Sequence, residues 1–544
     1  MVQVVLAAVL LSSSLNITSV PGAETPFGRV DGRVKELTGG ETKCEEFLGI
    51  PYAEPPLRFQ APVPWNATFI GGVYNASRLG SPCVQRRGWP DLDVVGSEDC
   101  LYLNVWRPAG ASPEAQLPVM LWIHGGAFKM GASKAPNLEG TDVYDGCRLA
   151  AQQDVIVVSL NYRLGIHGFA AFRQKSNPEL FDANLALQDQ REAMRWVQGH
   201  IGGFGGDAKS VTIFGESAGG MCAFYHMLSP LSEGLFRAVI SQSGDPYSFI
   251  GHAQASLTER VGQLLNCTGP ALRTCMQSAD VVTLTTMADD ITANLMAPGW
   301  GITVDGIQLL EPLEKIMQKG EYTAVPLLLG YDKDEANMFA FTTFHDPIGK
   351  EEQLDYMVHT NPPTMNSPSL RAEFRLKSEG LLDVYNQRYN DSDGRYALAA
   401  IYSDALFICG AVASSRWHSS RASTYLFRFS ATPSCPSAGI PGAFHGIELP
   451  YVFGNSPYGM NSEGCAFDAD EKALVDAVQT RWANFAKTLS PDGVDQTVSP
   501  IWPAFTNQSK LIMVFRDNDT GVEVLDDERV ELCDSWPHVS SLFH

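Results

Sequence analysis

The sequence predicts an α/β fold: a central, twisted, mostly parallel sheet flanked by helices, with helical cap insertions. Compact apolar runs end in glycine or a polar turn: VMLWI (119–123), VIVVSL (155–160), VTIF (211–214), AVIS (238–241), VPLLL (325–329) and YLFRF (425–429). They are continuous, not alternating, which is the pattern of strands covered on both faces. Helix-like stretches lie between several of them. Residues 184–198, NLALQDQREAMRWVQ, open on Asn184 and repeat apolar positions at helical spacing. Alternation of strand and helix implies parallel neighbours joined by right-handed crossovers. Residues 345–425 read as mainly helical and are expected to cap one end of the sheet.

The 544 residues contain no repeat, low-complexity tract or charge run that would mark a linker, so residues 24–544 read as one large domain. A hydrophobic share of 44% against 18% charged suits a protein with a large buried core. The net charge of −22 argues against a nucleic-acid partner, which requires a basic face. Acidic residues scattered along a chain read first as a solvated surface, although they can steer cations toward a cleft.

The N-terminus carries compartment information. Residues 2–11, VQVVLAAVLL, form an uncharged apolar block followed by serines and then Val20-Pro21-Gly22-Ala23. This resembles a secretory leader over residues 1–23, too short to cross a membrane. The expectation is an exported protein with no membrane span. Sequons at Asn66, Asn75, Asn266, Asn390, Asn507 and Asn518 agree with export. The eleven cysteines show no C-x-x-C metal spacing. Cys267 and Cys275 bracket CTGPALRTC, a loop suited to a local disulfide.

The chemistry begins at 211–220, VTIFGESAGG, where Gly215-Glu216-Ser217-Ala218-Gly219 fits G-x-S-x-G between an apolar strand and a helix-like stretch. Such a serine sits on a strained turn that lifts its oxygen above the sheet, and the flanking glycines remove β-carbons that would collide with neighbouring backbone. A hydroxyl is a poor nucleophile until a histidine takes its proton, and the histidine needs an acid to orient it. On a sheet of this kind the order is nucleophile, acid, histidine. That order eliminates His124, His167 and His200, and His226 shares the serine's helix. The acid should follow strand 325–329, where GYDKDE offers Asp332, Asp334 and Glu335. After the next strand, His445 in GAFHGIELPYVFG is the best placed base. An oxyanion formed by attack of Ser217 needs fixed donors. One is the Ala218 N–H, and others come from the glycine-rich HGGAF (124–128) after an earlier strand.

These residues resemble the type-B carboxylesterase family of α/β hydrolases, which includes cholinesterases, liver-type carboxylesterases and some fungal lipases. The resemblance spans nearly the whole mature chain. It is carried by FLGIPYAEPPLRF (47–59), SEDCLYLNVW (97–106), NYRLGIHGF (161–169), the stretch 183–220, GYDKDE (330–335) and FHGIELPYVFG (444–454). By position it implies Ser217 as nucleophile, Glu335 as triad acid and His445 as general base, with Gly126, Ala127 and Ala218 as oxyanion donors. It also implies disulfides Cys83–Cys100, Cys267–Cys275 and Cys409–Cys533, and no metal or cofactor. Cys435 and Cys465 are paired here as a further expectation, leaving Cys44, Cys147 and Cys222 as buried thiols.

Ala127 stands where the family's motif has a third glycine. Its N–H is retained, but its methyl group narrows the pocket, and a positive φ there would cost on the order of 1 kcal/mol. The expected substrate is a small to medium carboxylic ester. A cholinesterase places a cation-binding tryptophan in the loop before the EDC cysteine. Trp89 lies in that loop but out of register, with Arg86 and Arg87 beside it, and reads as a rim residue. A lipase lid needs a long apolar amphipathic surface, whereas the segment between Cys83 and Cys100 is short and charged. Met296, Pro298 and Met338 are expected to line the acyl side. Relatives on this fold that serve as non-catalytic adhesion proteins have lost triad residues, all of which are present here.

Overall fold

A computed structural model of the chain describes residues 20–37, 42–87, 93–134, 143–174, 180–244, 254–292, 299–360, 368–389, 392–435, 439–455, 466–495, 498–517, 521–524 and 533. Trp89, Met296, Pro298, Asn390, Asn518, Cys465 and leader residues 1–19 lie outside them.

The molecule is organised on an eleven-stranded sheet. In chain order its strands are β1 (Arg33–Glu36), β2 (Lys43–Pro51), β3 (Tyr102–Pro108), β4 (Leu117–Ile123), β5 (Ile156–Leu160), β6 (Gly206–Glu216), β7 (Ala238–Gln242), β8 (Leu327–Asp332), β9 (Thr424–Phe429), β10 (Leu511–Phe515) and β11 (Gly521–Val524). Their spatial order is β11-β10-β9-β8-β7-β6-β4-β5-β3-β2-β1. The seven strands from β10 to β5 in that order run parallel, and antiparallel strands finish both edges. The order reverses where β4 sits between β5 and β6, a topological switch at which open α/β sheets place ligands beyond the strand carboxyl ends.

Neighbouring side chains on each central strand enter opposite layers. Leu121, Ile213, Val239, Leu327 and Leu329 join the core on one face, while Met120, Trp122, Phe214, Ile240 and Leu328 join the other. This is why the runs are continuously apolar. The 184–198 pattern forms α1 (Leu185–His200). Asn184 takes a left-handed conformation before it, and its side chain bonds the Thr303 carbonyl and Asp305 instead of capping the helix.

The 345–425 region is largely helical. One stretch within it, Gly394–His418, is long and apolar enough to cross a membrane, but 89% of its most apolar window is buried inside the fold. At the N-terminus, Gly22–Thr25 pairs with Gly28–Asp31, and the expected leader boundary at Ala23 falls within that strand.

The Cys83–Cys100, Cys267–Cys275 and Cys409–Cys533 bridges are present. Cys222 is a buried free thiol, pushed up to about 12 by burial. The reading of Cys44 and Cys147 as thiols is corrected: they form a disulfide with Cα atoms 5.5 Å apart. Cys44 lies in β2 and Cys147 opens a short helix docked on that strand, a juxtaposition that no local pattern announces across 103 residues. Cys435 is disulfide-bonded, and its proposed partner Cys465 is among the residues not described. Closing a loop of that length restricts the unfolded chain strongly, so Cys44→Ala with Cys147→Ala is expected to cost roughly 4–5 kcal/mol. Denaturant titration beside a Cys83→Ala/Cys100→Ala variant, whose loop is 17 residues, should show the larger loss in the first. Equal losses would contradict the loop-length account.

Candidate active site

The site is supplied from the carboxyl ends of four strands, β4, β6, β8 and β9. Ser217 follows β6 directly and precedes α2 (Ala218–Leu228). Its backbone has φ 55° and ψ −129°, a conformation that costs a non-glycine residue energy and turns the side chain away from the sheet. The glycine spacing has a direct steric reason. A β-carbon on Gly219 would lie 2.0 Å from the Ile123 carbonyl oxygen, and one on Gly215 would lie 2.5 Å from Gly219. The Ser217 N–H donates to the Gln242 carbonyl at the end of β7, which fixes the turn.

Because β4 and β6 are neighbours, the HGGAF segment after β4 passes beside the serine. A β-carbon on Gly125 would meet the Glu216 carboxylate at 2.7 Å and the Ser217 β-carbon at 3.0 Å. Gly126 and Ala127 both have positive φ, 111° and 53°. They and Ser217 reach solvent while Gly125, Phe128, Glu216 and Ala218 are buried. Among the described residues, the N–H groups of Gly126, Ala127 and Ala218 have no protein acceptor, so they are available to an oxygen held above Ser217.

The three candidate acids separate by what they touch. Asp334 accepts the Ala443 N–H at 3.0 Å and steadies the histidine loop. Asp332 accepts the Gly446 N–H at 2.9 Å. Glu335, fully buried, places Oε2 2.7 Å from His445 Nδ1, and its Oε1 accepts the Asp332 N–H at 2.9 Å. The His445 N–H in turn donates to the Glu335 carbonyl, so the two loops are zipped together.

The other imidazole nitrogen, Nε2, lies 3.1 Å from Glu216 Oε1. Among the described residues it is this carboxyl, not the Ser217 hydroxyl, that engages it. Burial alone would lower the imidazole's pKa, but the facing Glu216 and Glu335 carboxylates outweigh it and raise it to about 9. Burial raises Glu216 to about 8, against the pull of the imidazole. The imidazole and the Glu216 carboxyl therefore titrate as a pair, and a catalytic hydrogen bond from serine often tightens only when substrate is bound.

Several residues of the site carry no motif. The Phe407 and Phe339 rings pack on the imidazole, with centroids 4.6 and 5.4 Å away. Phe407 sits in a π-helical turn, Asp404–Ile408, that interrupts the Gly394–His418 helix. Such turns often occur at functional sites because they re-aim one side chain. Met338, expected on the acyl side, is half-buried against the layer containing Phe444 and Ile447, and it is its neighbour Phe339 that reaches His445. Glu448 lies behind the histidine and accepts from Gln242 at 2.7 Å.

A central parallel sheet, a strained serine after a middle strand, and an acid–histidine couple from later loops define an α/β hydrolase. The carboxylesterase family model matches residues 19–533. The chain is 34% identical over 507 residues to para-nitrobenzyl esterase of Bacillus subtilis (strain 168), covering 90% of this chain and 94% of that protein. It is 30% identical over 558 residues to carboxylesterase 5A of Felis catus, covering 96% and 95%. Against cholinesterase of Mus musculus the identity is 31% over 547 residues, covering 94% and 85%. The chain belongs to the carboxylesterase family and is a carboxylic ester hydrolase.

With Ala127 in the left-handed region, the Ala127→Gly substitution relieves about 1 kcal/mol of strain. It also frees the unfolded chain by about 0.4–1 kcal/mol. Stability should therefore change little. Removing the methyl group should raise kcat/KM several-fold for a bulky acyl ester relative to p-nitrophenyl butyrate. Unchanged selectivity would show that the methyl group does not limit the pocket.

Proposed function

We propose that the protein is an exported serine esterase that hydrolyses small to medium carboxylic esters through Ser217, His445 and Glu335. The observation that carries this reading is the 2.7 Å Glu335–His445 couple beside a serine held at φ 55°. His445 Nε2 takes the Ser217 proton as Oγ attacks the ester carbonyl carbon, and the oxyanion is received by the N–H groups of Gly126, Ala127 and Ala218. The ester C–O bond breaks, His445 returns the proton to the leaving alcohol, and the acyl group remains on Ser217. Water then attacks this acyl-enzyme with His445 again as base, releasing the acid and regenerating serine. Glu335 orients the imidazole through Nδ1 and stabilises the imidazolium. The leader-like N-terminus and the disulfides support export. So do the exposed sequon asparagines Asn66, Asn75, Asn266 and Asn507, the described ones of the proposed glycan acceptors.

Rapid mixing with p-nitrophenyl butyrate is expected to show a burst of p-nitrophenolate close to one equivalent per active site. An organophosphate should label the peptide containing Ser217 and abolish turnover. Labelling of a different residue, or turnover that survives stoichiometric labelling, would refute the assignment.

A further inference from the structure

Behind His445 lies a second buried constellation, which the triad does not use. Asp332 ends β8 and Glu448 follows the histidine loop, and both side chains are fully enclosed. One oxygen of each is accounted for. Asp332 Oδ2 accepts the Gly446 N–H, and Glu448 Oε1 accepts from Gln242 Nε2. The orientation of Gln242 is fixed, because its Oε1 accepts the Trp482 indole N–H at 2.9 Å and its nitrogen must therefore face Glu448. The remaining oxygens, Asp332 Oδ1 and Glu448 Oε2, are buried and receive no donor, and the two side chains face each other within hydrogen-bonding reach. Two ionised carboxylates have only acceptors, so such a contact requires a proton between them.

We infer that Asp332 carries one proton shared with Glu448, and that as a neutral acid it is a positioning residue for the proposed general base His445. The proton is placed on Asp332 because the Glu448 and Glu335 carboxyls both face it, whereas Glu448 keeps the Gln242 amide as a donor that favours its charged form. Burial, followed by the facing Glu448 and Glu335 carboxylates, holds Asp332 well above the usual carboxylate range. Glu448 is also raised, by burial, while the Gln242 donor opposes the shift.

The consequence concerns His445. The ionisable groups facing this pair are Glu335, Glu216 and the imidazole itself. If Asp332 and Glu448 were both charged, the imidazole would hold its proton too tightly to act as a base. A shared proton limits the charge while leaving Asp332 able to grip Gly446, the residue next to the histidine. This assignment rests on the catalytic reading only for its effect on rate; the shared proton stands on the geometry.

Asn and Gln copies separate the two members. In infrared difference spectra at neutral pH, Asp332→Asn should lose a protonated-carboxyl band that Glu448→Gln keeps. In kcat/KM profiles, Glu448→Gln removes a negative charge, so the acid limb should move to lower pH by about half a unit or more. Asp332→Asn removes a neutral acid, so its limb should stay in place. Asp332→Ala should lose about tenfold in kcat as Gly446 loses its acceptor, and Asp332→Asn should recover most of that loss. A limb that shifts in Asp332→Asn, a band lost from Glu448→Gln instead, or no recovery by asparagine relative to alanine would overturn the proposal. If Asp332→Asn does not fold, the spectrum and limb of Glu448→Gln decide. A protein with no esterase activity would sink the catalytic reading and leave the infrared result to decide the shared proton.

Discussion

Ser217→Ala is expected to lower kcat on p-nitrophenyl butyrate by on the order of 10⁶-fold, with KM nearly unchanged. Alanine keeps the β-carbon that the elbow already accommodates at φ 55°, so the fold should persist and the melting temperature should stay close to that of the parent. What is lost is the only group that can carry the acyl chain between the two half-reactions. The oxyanion donors are backbone N–H groups and survive the substitution, so some rate above uncatalysed hydrolysis should remain. Steady-state rates after organophosphate treatment, which silences any trace of parent enzyme, provide the measurement. A variant retaining a tenth of the parent rate would mean that the acyl group is transferred directly to water or held elsewhere.

Much of this arrangement is legible in the residues, and the parts that are not have identifiable causes. Strands β4 to β9 announce themselves because both faces are covered and their side chains are apolar without interruption. Strand β2 hides because Glu45 and Glu46 break its pattern. Both are buried: Arg107 bonds Glu45 at 2.6 Å, while Arg33 and the Trp106 indole bond Glu46, so charge there does not mean exposure. The Cys44–Cys147 bridge hides for a different reason, since it depends on where a short helix docks.

In the site, Ser217 and His445 follow from a motif and from chain order. The acid does not follow from spacing, where Asp332, Asp334 and Glu335 are equivalent; the family resemblance points to Glu335, and in the structure it is Glu335 that contacts His445. Glu216 occupies the open x of G-x-S-x-G, so nothing in the motif marks it, although its carboxyl sits 3.1 Å from Nε2. Phe407 reaches the imidazole through a π-helical turn, which a regular helical period cannot anticipate.

Glu335→Gln should lower kcat by roughly 10⁴-fold without disturbing the fold, through the tautomer of His445. The Asp332 N–H points at Oε1 and needs an acceptor, so the glutamine must turn its oxygen to that side. Its amide NH₂ then faces Nδ1, where glutamate has Oε2. Two donors cannot share that contact, so Nδ1 becomes an acceptor and the neutral ring carries its proton on Nε2. That is the atom that must take the proton of Ser217. Raising the pH does not repair this. Glu216 and Glu335 together raise the histidine to about 9 against burial, so removing one carboxylate lowers the folded pKa and moves the acid limb of kcat/KM to lower pH. The profile should therefore shift toward acid while its plateau stays low. A plateau that recovers at high pH would mean that Glu335 acts only through its charge. A profile that keeps both its height and its limb would mean that Glu335 does not act on His445 during turnover.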